Sequence, residues 1–277
     1  MNYNATAVIK TAREILDSKG ITHYNDTVFL LEKVLGKKCS VLSNIELSET
    51  EYNEYMSLIS RRAEHESMDS LMGYTEFMGL VVPFSQDTLS PRQETEIMVD
   101  NIIRENKGRD NLTVLDLCSG SGCIGLAIAK HLKATVTLVD ISSKAISVAK
   151  NTAEINNVAV EIIESDLFEK VDGKYDIIVT NPPYIPSEDC LSLEKEVIDY
   201  DPMLALDGGQ DGLDLIRKIV KDSPNHLNKN GLIYMEYGIG QTEDIRPLLK
   251  SSFDNIEIVK DYSGIDRYIK GRKRDLC

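Results

Sequence analysis

Hydrophobic positions in the first 75 residues recur at helical spacing. An apolar stripe from Val8 to Leu16 predicts a first helix, which ends before a glycine. Asp26 stands where it could cap a second helix, and Ser48 with Glu51 has the spacing of a capping box that opens a third. The pattern therefore predicts a small helical domain over residues 1–72.

From residue 111 onward, short apolar runs alternate with amphipathic stretches. Strands separated by helices of about 10–15 residues indicate βαβ units and a mostly parallel sheet. We therefore predict a doubly wound α/β fold with seven strands. The predicted strands are 113–117, 135–139, 161–164, 176–180, 232–236, 256–259 and 268–269, and the predicted helices are 123–132, 143–156, 211–227 and 241–251.

The segment between these two regions is rich in β-forming residues and glycine. Residues 73–84 predict a hairpin, so we expect a linker over 73–88 and a second domain over 89–277. Ser90 and Gln93 resemble a capping box with Pro91 at the first helical position, which predicts a helix that continues to Asn106.

Composition places the chain among globular proteins. Of its 277 residues, 42% are hydrophobic and 27% charged. No apolar run approaches the ~20 residues that cross a bilayer, and the first residues lack the features of a signal peptide. These observations predict a cytoplasmic protein that does not associate with membranes.

Cysteine and histidine are sparse. The four histidines form no cluster with ligand spacing, so we expect no metal site. The odd number of cysteines, without a CxxC pair, predicts reduced thiols; they are Cys39, Cys118, Cys123, Cys190 and Cys277.

The net charge of −14 opposes binding to nucleic acid, because such binding depends on neutralising phosphates. A basic cluster at 267–274 is a local exception, which we interpret as a solvated final strand and tail. We expect that the protein forms no stable complex with nucleic acid and that it is a monomer.

Three glycines follow the first strand of the second domain. Gly120, Gly122 and Gly125 spell GxGxxG, which lets a backbone approach a ligand at the carboxyl edge of a sheet. Alone this is a weak signal, because a tight structural turn has the same pattern. The residues of this turn that we expect to contact a cofactor are Cys118, Ser119, Gly120, Ser121 and Gly122.

Two aspartates follow the next two strands. Asp140 could accept hydrogen bonds from both ribose hydroxyls of an adenosine, whether of NAD or of S-adenosylmethionine; alternatively it is the N-cap of the helix at 143. Asp166 could accept the adenine amino group, or could be a turn residue. These positions predict a cofactor that contains adenosine.

The sequence Asn-Pro-Pro-Tyr (181–184) directly follows the fourth strand. Prolines donate no N–H, so carbonyl groups here stay outside the sheet. The Asn181 side-chain oxygen and the Pro182 carbonyl could accept both hydrogens of a planar amino group, and Tyr184 offers it a flat face. Pro183 completes the expected substrate contact. This arrangement suits an amide or aromatic amine that attacks a sulfonium methyl group, and it favours S-adenosylmethionine over NAD.

Together these motifs resemble the release factor glutamine N5-methyltransferases, the PrmC/HemK type, over nearly the whole chain. The hairpin Gly-Tyr-Thr-Glu-Phe-Met-Gly-Leu (73–80), the stretch 89–96 and the two later segments 202–212 and 261–267 resemble signatures of that family. Gln93 stands where the family usually has a second proline, and Cys118-Ser119 replaces a glycine-containing pair.

The resemblance implies a class I S-adenosylmethionine-dependent methyltransferase, Rossmann-like, with an N-terminal domain that recognises the substrate. It implies transfer of a methyl group to the glutamine of the Gly-Gly-Gln tripeptide in class 1 peptide chain release factors, by Asn181, Pro182 and Tyr184. Leu167 would pack on the adenine, and Asn181 would also contact the cofactor.

Three alternatives remain open. An adenine-N6 methyltransferase, or another nucleic-acid base methyltransferase, would share the 181–184 loop, but the net charge opposes it. An NAD-dependent oxidoreductase would leave that loop unexplained. A non-catalytic adaptor could keep a relict cofactor pocket. The tripeptide Gly208-Gly209-Gln210 in this chain itself we interpret as a loop that needs glycine.

Overall fold

The computed structural model of the chain describes residues 3–39 and 41–274, with every side chain except that of Ser43. Cys277 and the outer ends of both predicted domains lie outside the described residues. Two compact units are present, one comprising the described residues up to Tyr74 with Lys195–Tyr200, and the other comprising the remainder. The domain boundaries at residues 72 and 88 stay predictions. That residues 195–200 belong with the first unit was not predicted.

The strands and helices are defined as follows. The strands are β1 (Tyr3–Asn4), β2 (Glu46–Leu47), β3 (Tyr74–Phe77), β4 (Leu80–Pro83), β5 (Leu112–Leu117), β6 (Ala134–Asp140), β7 (Glu161–Glu164), β8 (Tyr175–Thr180), β9 (Leu227–Glu236), β10 (Phe253–Lys260) and β11 (Asp266–Lys273). The α-helices are α1 (Ala5–Asp17), α2 (Asn25–Leu35), α3 (Glu49–Ala63), α4 (Met68–Met72), α5 (Gln93–Asn106), α6 (Cys123–His131), α7 (Ser143–Asn156), α8 (Lys195–Tyr200), α9 (Asp214–His226) and α10 (Thr242–Lys250).

The first unit is built from α1–α4, whose apolar faces share one core. The predicted capping box of α3 is confirmed: the Ser48 hydroxyl accepts the Glu51 N–H at 3.3 Å, and the Glu51 carboxylate accepts the Ser48 N–H at 2.7 Å. The predicted cap at Asp26 is wrong. Helix α2 begins at Asn25, with Tyr24 at the N-cap position, and no side chain caps it. The Asp26 carboxylate instead accepts the Nε–H of Arg62 at 2.8 Å.

Arg62 forms a buried ionic cluster in this unit. Its side chain is 4% exposed, and its guanidinium pairs with Asp26 at 2.8 Å and with Glu196 of α8 at 2.7 Å. A buried guanidinium needs several acceptors to offset the loss of water. The pair with Glu196 explains why α8, distant in sequence, belongs to the first unit.

The second unit contains the seven-stranded sheet, in the order β10-β11-β9-β8-β5-β6-β7. Within this sheet, as far as the structure describes it, only β11 runs antiparallel to its neighbours, so the predicted, mostly parallel sheet is confirmed. One apolar cluster joins α5, α6, α7 and the β3–β4 hairpin to one face of the sheet. A second joins α9 and α10 to the other face. The sheet is therefore doubly wound.

The predicted elements match closely where apolar residues define them, and β7 and α7 have the predicted bounds. The predicted capping box at Ser90 is wrong. Helix α5 begins at Gln93 with Arg92 as its N-cap residue, because the Ser90 N–H donates to the Asp201 carboxylate at 3.1 Å. Strands β9 and β11 are longer than predicted, since their polar ends also pair.

The basic cluster near the C-terminus lies on β11 and in the residue after it, and two of its members are not solvated. The side chains of Arg267 and Lys270 are 20% and 15% exposed, and they pair with Asp261 and Glu105, each at 2.8 Å. Our interpretation of this cluster as a solvated strand is therefore wrong for these two residues. No helix in the described part of the chain is long and apolar enough to span a membrane.

Candidate active site

The glycine turn joins the end of β5 to the start of α6. The backbone adopts positive φ angles at Cys118, Gly120 and Gly122, of 56°, 54° and 78°. The Ser119 N–H donates to the Val139 carbonyl at 3.0 Å, which ties the turn to the end of β6. The turn is thus held at the carboxyl edge of the sheet.

The three glycines of the GxGxxG pattern have different structural roles. A Cβ atom at Gly125 would lie 2.2 Å from Leu138 Cδ2, and one at Gly122 would lie 2.8 Å from Leu138 Cδ1. Both glycines therefore let α6 pack closely on β6. A Cβ atom at Gly120 would meet nothing within 4 Å. The space beside Gly120 is open for a ligand.

Asp140 is joined to this turn. Its carboxylate accepts the Gly120 N–H at 2.8 Å and the Ser142 N–H at 2.9 Å. Burial raises the pKa of Asp140, and these backbone N–H groups oppose the rise. The alternative that Asp140 caps the following helix is wrong, because the cap of α7 is Ser142, whose hydroxyl accepts the Ala145 N–H at 3.2 Å.

Asp116 is a second acidic group beneath the turn. It is fully buried, and its Oδ2 accepts the Gly125 N–H at 2.8 Å. Its Oδ1 has no hydrogen-bond partner in the described residues. Burial, together with the charge of Asp140, raises the pKa of Asp116 to about 8.

A cavity of about 350 Å³ opens along the carboxyl ends of the strands, and we call it the strand-edge pocket. That volume lies in the range of small-molecule sites. Three of the predicted site residues do not line this pocket: Gly122, Pro182 and Tyr184. Gly122 instead packs against Leu138. The predicted residues that do line it are Cys118, Ser119, Gly120, Ser121, Asp140, Asp166, Leu167, Asn181 and Pro183.

The 181–184 loop leaves the end of β8 at one side of this pocket. The Tyr184 carbonyl accepts a hydrogen bond from Gln241 Nε2 at 2.9 Å, and Gln241 Oε1 accepts the Gly238 N–H at 2.8 Å. Burial raises the pKa of the Tyr184 hydroxyl to about 12. The tyrosine therefore stays neutral and its backbone is fixed.

The segment around the Gly-Gly-Gln tripeptide supports the same loop. The Gly208 N–H donates to the Ile185 carbonyl at 2.8 Å. A Cβ atom at Gly208 would lie 2.8 Å from the Pro183 carbonyl oxygen, and one at Gly212 would lie 2.2 Å from the Tyr184 carbonyl oxygen. Both glycines are required for this close approach. The structural interpretation of the tripeptide is supported.

Glu236 is a site residue that sequence reasoning missed. It ends β9, is 4% exposed, and accepts the Thr95 hydroxyl at 2.7 Å. Burial raises the pKa of Glu236 to about 7, against hydrogen bonds from Thr95 and Asn181 and the charge of Arg267. A carboxylate that ends an apolar strand beside the strand of the 181–184 loop was the available signal.

The wall formed by residues 89–92 was also missed, because we assigned it to a helix cap. Ser90, Pro91 and Arg92 line the strand-edge pocket. Arg92 is held there by an ion pair of 2.5 Å with Asp201, whose carboxylate is 4% exposed. The arginine and Lys144 thus bring positive charges to a pocket that is also lined by Asp87, Asp140 and Asp166.

The fold has counterparts among solved structures. A 16S rRNA N2 G1207 methyltransferase of T. thermophilus, solved with AdoMet and guanosine, matches with a TM-score of 0.53 at 20% identity, over 73% of this chain and 50% of that chain. A methyltransferase from Pyrococcus furiosus matches with a TM-score of 0.52 at 17% identity, over 70% of this chain and 89% of that chain. At these identities the likeness concerns the fold alone.

Comparison of the sequence with known proteins identifies a narrower family than the fold does. The methyltransferase small domain family matches residues 76–199. The release factor glutamine methyltransferase of Geobacter sulfurreducens is 38% identical over 272 residues, covering 96% of this chain and 95% of that protein. That of Bacillus cereus is 32% identical over 272 residues, covering 94% and 96%.

The doubly wound sheet and its strand-edge pocket define a class I methyltransferase. Within that class, the full-length similarity is decisive. The chain belongs to the release factor glutamine methyltransferase family.

Proposed function

We propose that this protein transfers the methyl group of S-adenosylmethionine to the side-chain amide nitrogen of the glutamine in the Gly-Gly-Gln tripeptide of class 1 peptide chain release factors. The observation that carries the proposal is the position of the Asn-Pro-Pro-Tyr loop, beside the strand-edge pocket at the end of β8. The names of the full-length relatives support the same substrate.

The strand-edge pocket fits the cofactor in two respects. Asp140 stands at the carboxyl end of β6, and each of its oxygens keeps a second lone pair beside the N–H that it already accepts, so it can also accept ribose hydroxyls. The Ser119 hydroxyl lines the pocket, is buried, and has no partner in the described residues, so it can pair with a polar group of a ligand.

Charge supports a cationic cofactor. Asp140 lines the strand-edge pocket, and its pKa is raised because burial disfavours its charged form. A ligand that carries positive charge would relieve that cost. S-adenosylmethionine, when bound, supplies an electrophilic methyl group on a positively charged sulfur.

The roles of the loop residues follow from the chemistry of an amide. An amide nitrogen is a poor nucleophile because its lone pair is delocalised. Asn181 Oδ1 and the Pro182 carbonyl would accept both amide hydrogens and so orient the nitrogen, while Tyr184 would pack against the amide plane. Positioning of this kind accounts for much of the acceleration in two-substrate reactions.

The nucleic-acid alternative is not favoured. The loop could hold an adenine amino group equally well, but the full-length relatives are named for release factors. The net charge of −14 also opposes the counterion release on which binding to DNA depends. The cytoplasmic location, the monomeric state and substrate recognition by the helical domain stay predictions.

Methyl-labelled S-adenosylmethionine tests the proposal. The protein is incubated with it and, in separate reactions, with a release factor or with duplex DNA. We expect label on the release factor and none on the DNA. Label on the DNA, or on neither macromolecule, would contradict the proposed function.

A further inference from the structure

Glu236 lies beside the loop that we expect to hold the substrate. We propose that Glu236 is a positioning residue: its carboxylate holds the amide nitrogen of Asn181, so that the amide oxygen of Asn181 faces the substrate amino group. That this contact assists catalysis rests on the proposed function, whereas the existence of the contact does not.

The register of two parallel strands brings the two residues together. Strands β8 and β9 pair Val179 with Tyr234 and Thr180 with Met235. The next residues are Asn181, which directly follows β8, and Glu236, the last residue of β9, so the two stand side by side. The two side chains therefore lie on the same side of the sheet, and Asn181 is among the groups that lower the pKa of Glu236.

The carboxylate is itself held in place. Its Oε2 accepts the Thr95 hydroxyl of α5 at 2.7 Å, and the residue is 4% exposed. A buried carboxylate that accepts the Thr95 hydroxyl has little freedom to rotate. It therefore offers Asn181 a fixed acceptor.

An ionised carboxylate can select one orientation of an asparagine. The two ends of a carboxamide have nearly the same shape, but one is an acceptor and the other a donor. A carboxylate is only an acceptor, so it pairs with the NH2 end and leaves the oxygen end free. With a neutral amide in its place, Asn181 could rotate and present NH2 to the substrate's own NH2.

The cost of burying this carboxylate also indicates a function. An acidic side chain inside a protein lowers stability unless its partners offset the lost hydration. Buried acids of this kind are concentrated at functional sites. Thr95 alone could be satisfied by a neutral residue, whereas the selection of the Asn181 orientation requires the charge.

Glu236→Gln tests the catalytic part, because glutamine keeps the size of the side chain and can still accept the Thr95 hydroxyl. We expect kcat to fall roughly 100-fold, with KM for both substrates unchanged and no fall in the melting temperature. A merely structural role would lower the melting temperature instead. Glu94→Gln is the matched control on α5; its side chain is 44% exposed, and because its charge raises the pKa of Glu236, its removal keeps Glu236 ionised and should not lower kcat.

A second readout does not depend on activity. In ¹⁵N-labelled protein, the side-chain NH2 resonances of Asn181, assigned with Asn181→Ala, should shift as Glu236 ionises near pH 7. The charged or titratable groups that face Glu236 are Glu94 of α5, Arg267 of β11, Tyr184 and the Cys123 thiol of α6. The shift should persist in Glu94→Gln and vanish in Glu236→Gln.

The two hypotheses fail in different ways. A wild-type protein that methylates no release factor would contradict the proposed function, while the resonances would still decide the Asn181–Glu236 contact. An active wild type with an equally active Glu236→Gln variant would overturn the positioning role. Asn181 resonances that are the same in wild type and in Glu236→Gln would overturn the contact.

Discussion

The Asp140 carboxylate accepts the backbone N–H of Gly120 at 2.8 Å, which joins the end of β6 to the glycine turn after β5. The same carboxylate accepts the Ser142 N–H at 2.9 Å. Asp140 is therefore fixed between two loops at the edge of the strand-edge pocket, rather than acting as the cap of α7. A substitution at Asp140 can show whether its carboxylate also binds the cofactor.

Asp140→Ala should weaken binding of S-adenosylmethionine by about 1.5–3 kcal/mol, the scale of hydrogen bonds to a charged group. Isothermal titration calorimetry measures the change. The control is Ser142→Ala, which removes the true cap of α7 and should cost about 1 kcal/mol of folding stability. Equal affinities in Asp140→Ala and wild type would show that Asp140 does not contact the cofactor.

Asn181→Ala should abolish methyl transfer while lowering cofactor affinity by no more than about 0.5–1.5 kcal/mol, the worth of one hydrogen bond. The reason is that Asn181 lines the strand-edge pocket but would act chiefly on the amide nitrogen. Single-turnover rates and calorimetry on the same preparation separate the two effects. A variant with near-normal turnover would remove the proposed role of the loop.

Arg62→Met should destabilise the first unit by about 3–5 kcal/mol, because it leaves the carboxylates of Asp26 and Glu196 without their shared cation. The neighbouring Arg61→Met is the matched control. The Arg61 side chain is 51% exposed and pairs with Glu66, so its loss should cost less than about 1 kcal/mol. Denaturant unfolding followed by far-UV circular dichroism compares them; similar losses in both variants would contradict the buried cluster.

Stability should depend on pH through Asp116. In the folded protein its pKa is raised to about 8 from an ordinary value of 3.8, so the folded state keeps a proton that the unfolded chain loses. This contribution to stability is complete below the ordinary pKa and is lost as pH rises through about 8.

Asp116→Asn removes that titration while it can still accept the Gly125 N–H. The free energy of unfolding of the wild type should therefore fall, relative to that of Asp116→Asn, as the pH is raised from about 5 to about 9. Denaturant titrations at several pH values measure the difference. Parallel curves for the two proteins would show that Asp116 ionises normally in the folded state.

Sequence patterns predicted the sheet well because its strands are short apolar runs that nearby helices cover. They failed where a distant partner changes a local preference. Ser90 has the local form of a helix cap, but Asp201 takes its N–H and the helix begins later. Asp26 was assigned to a cap for the same reason, and Arg62 takes its carboxylate.

The site was predictable where motifs are contiguous, as in the glycine turn and the 181–184 loop. Glu236 was not, because its partners Thr95 and Asn181 are far away in sequence and meet it only through the packing of α5 and the pairing of β8 with β9. Its place at the end of an apolar strand was the one available signal, and a carboxylate without a function can end a strand in the same way.

The most direct test of the account locates the methyl group itself. A release factor, and a variant in which alanine replaces the glutamine of its Gly-Gly-Gln tripeptide, are each incubated with the protein and S-adenosylmethionine, then digested and analysed by tandem mass spectrometry. The account predicts one added methyl group on the amide nitrogen of that glutamine, and none anywhere on the alanine variant. A methyl group on another residue, or equal modification of both release factors, would contradict it.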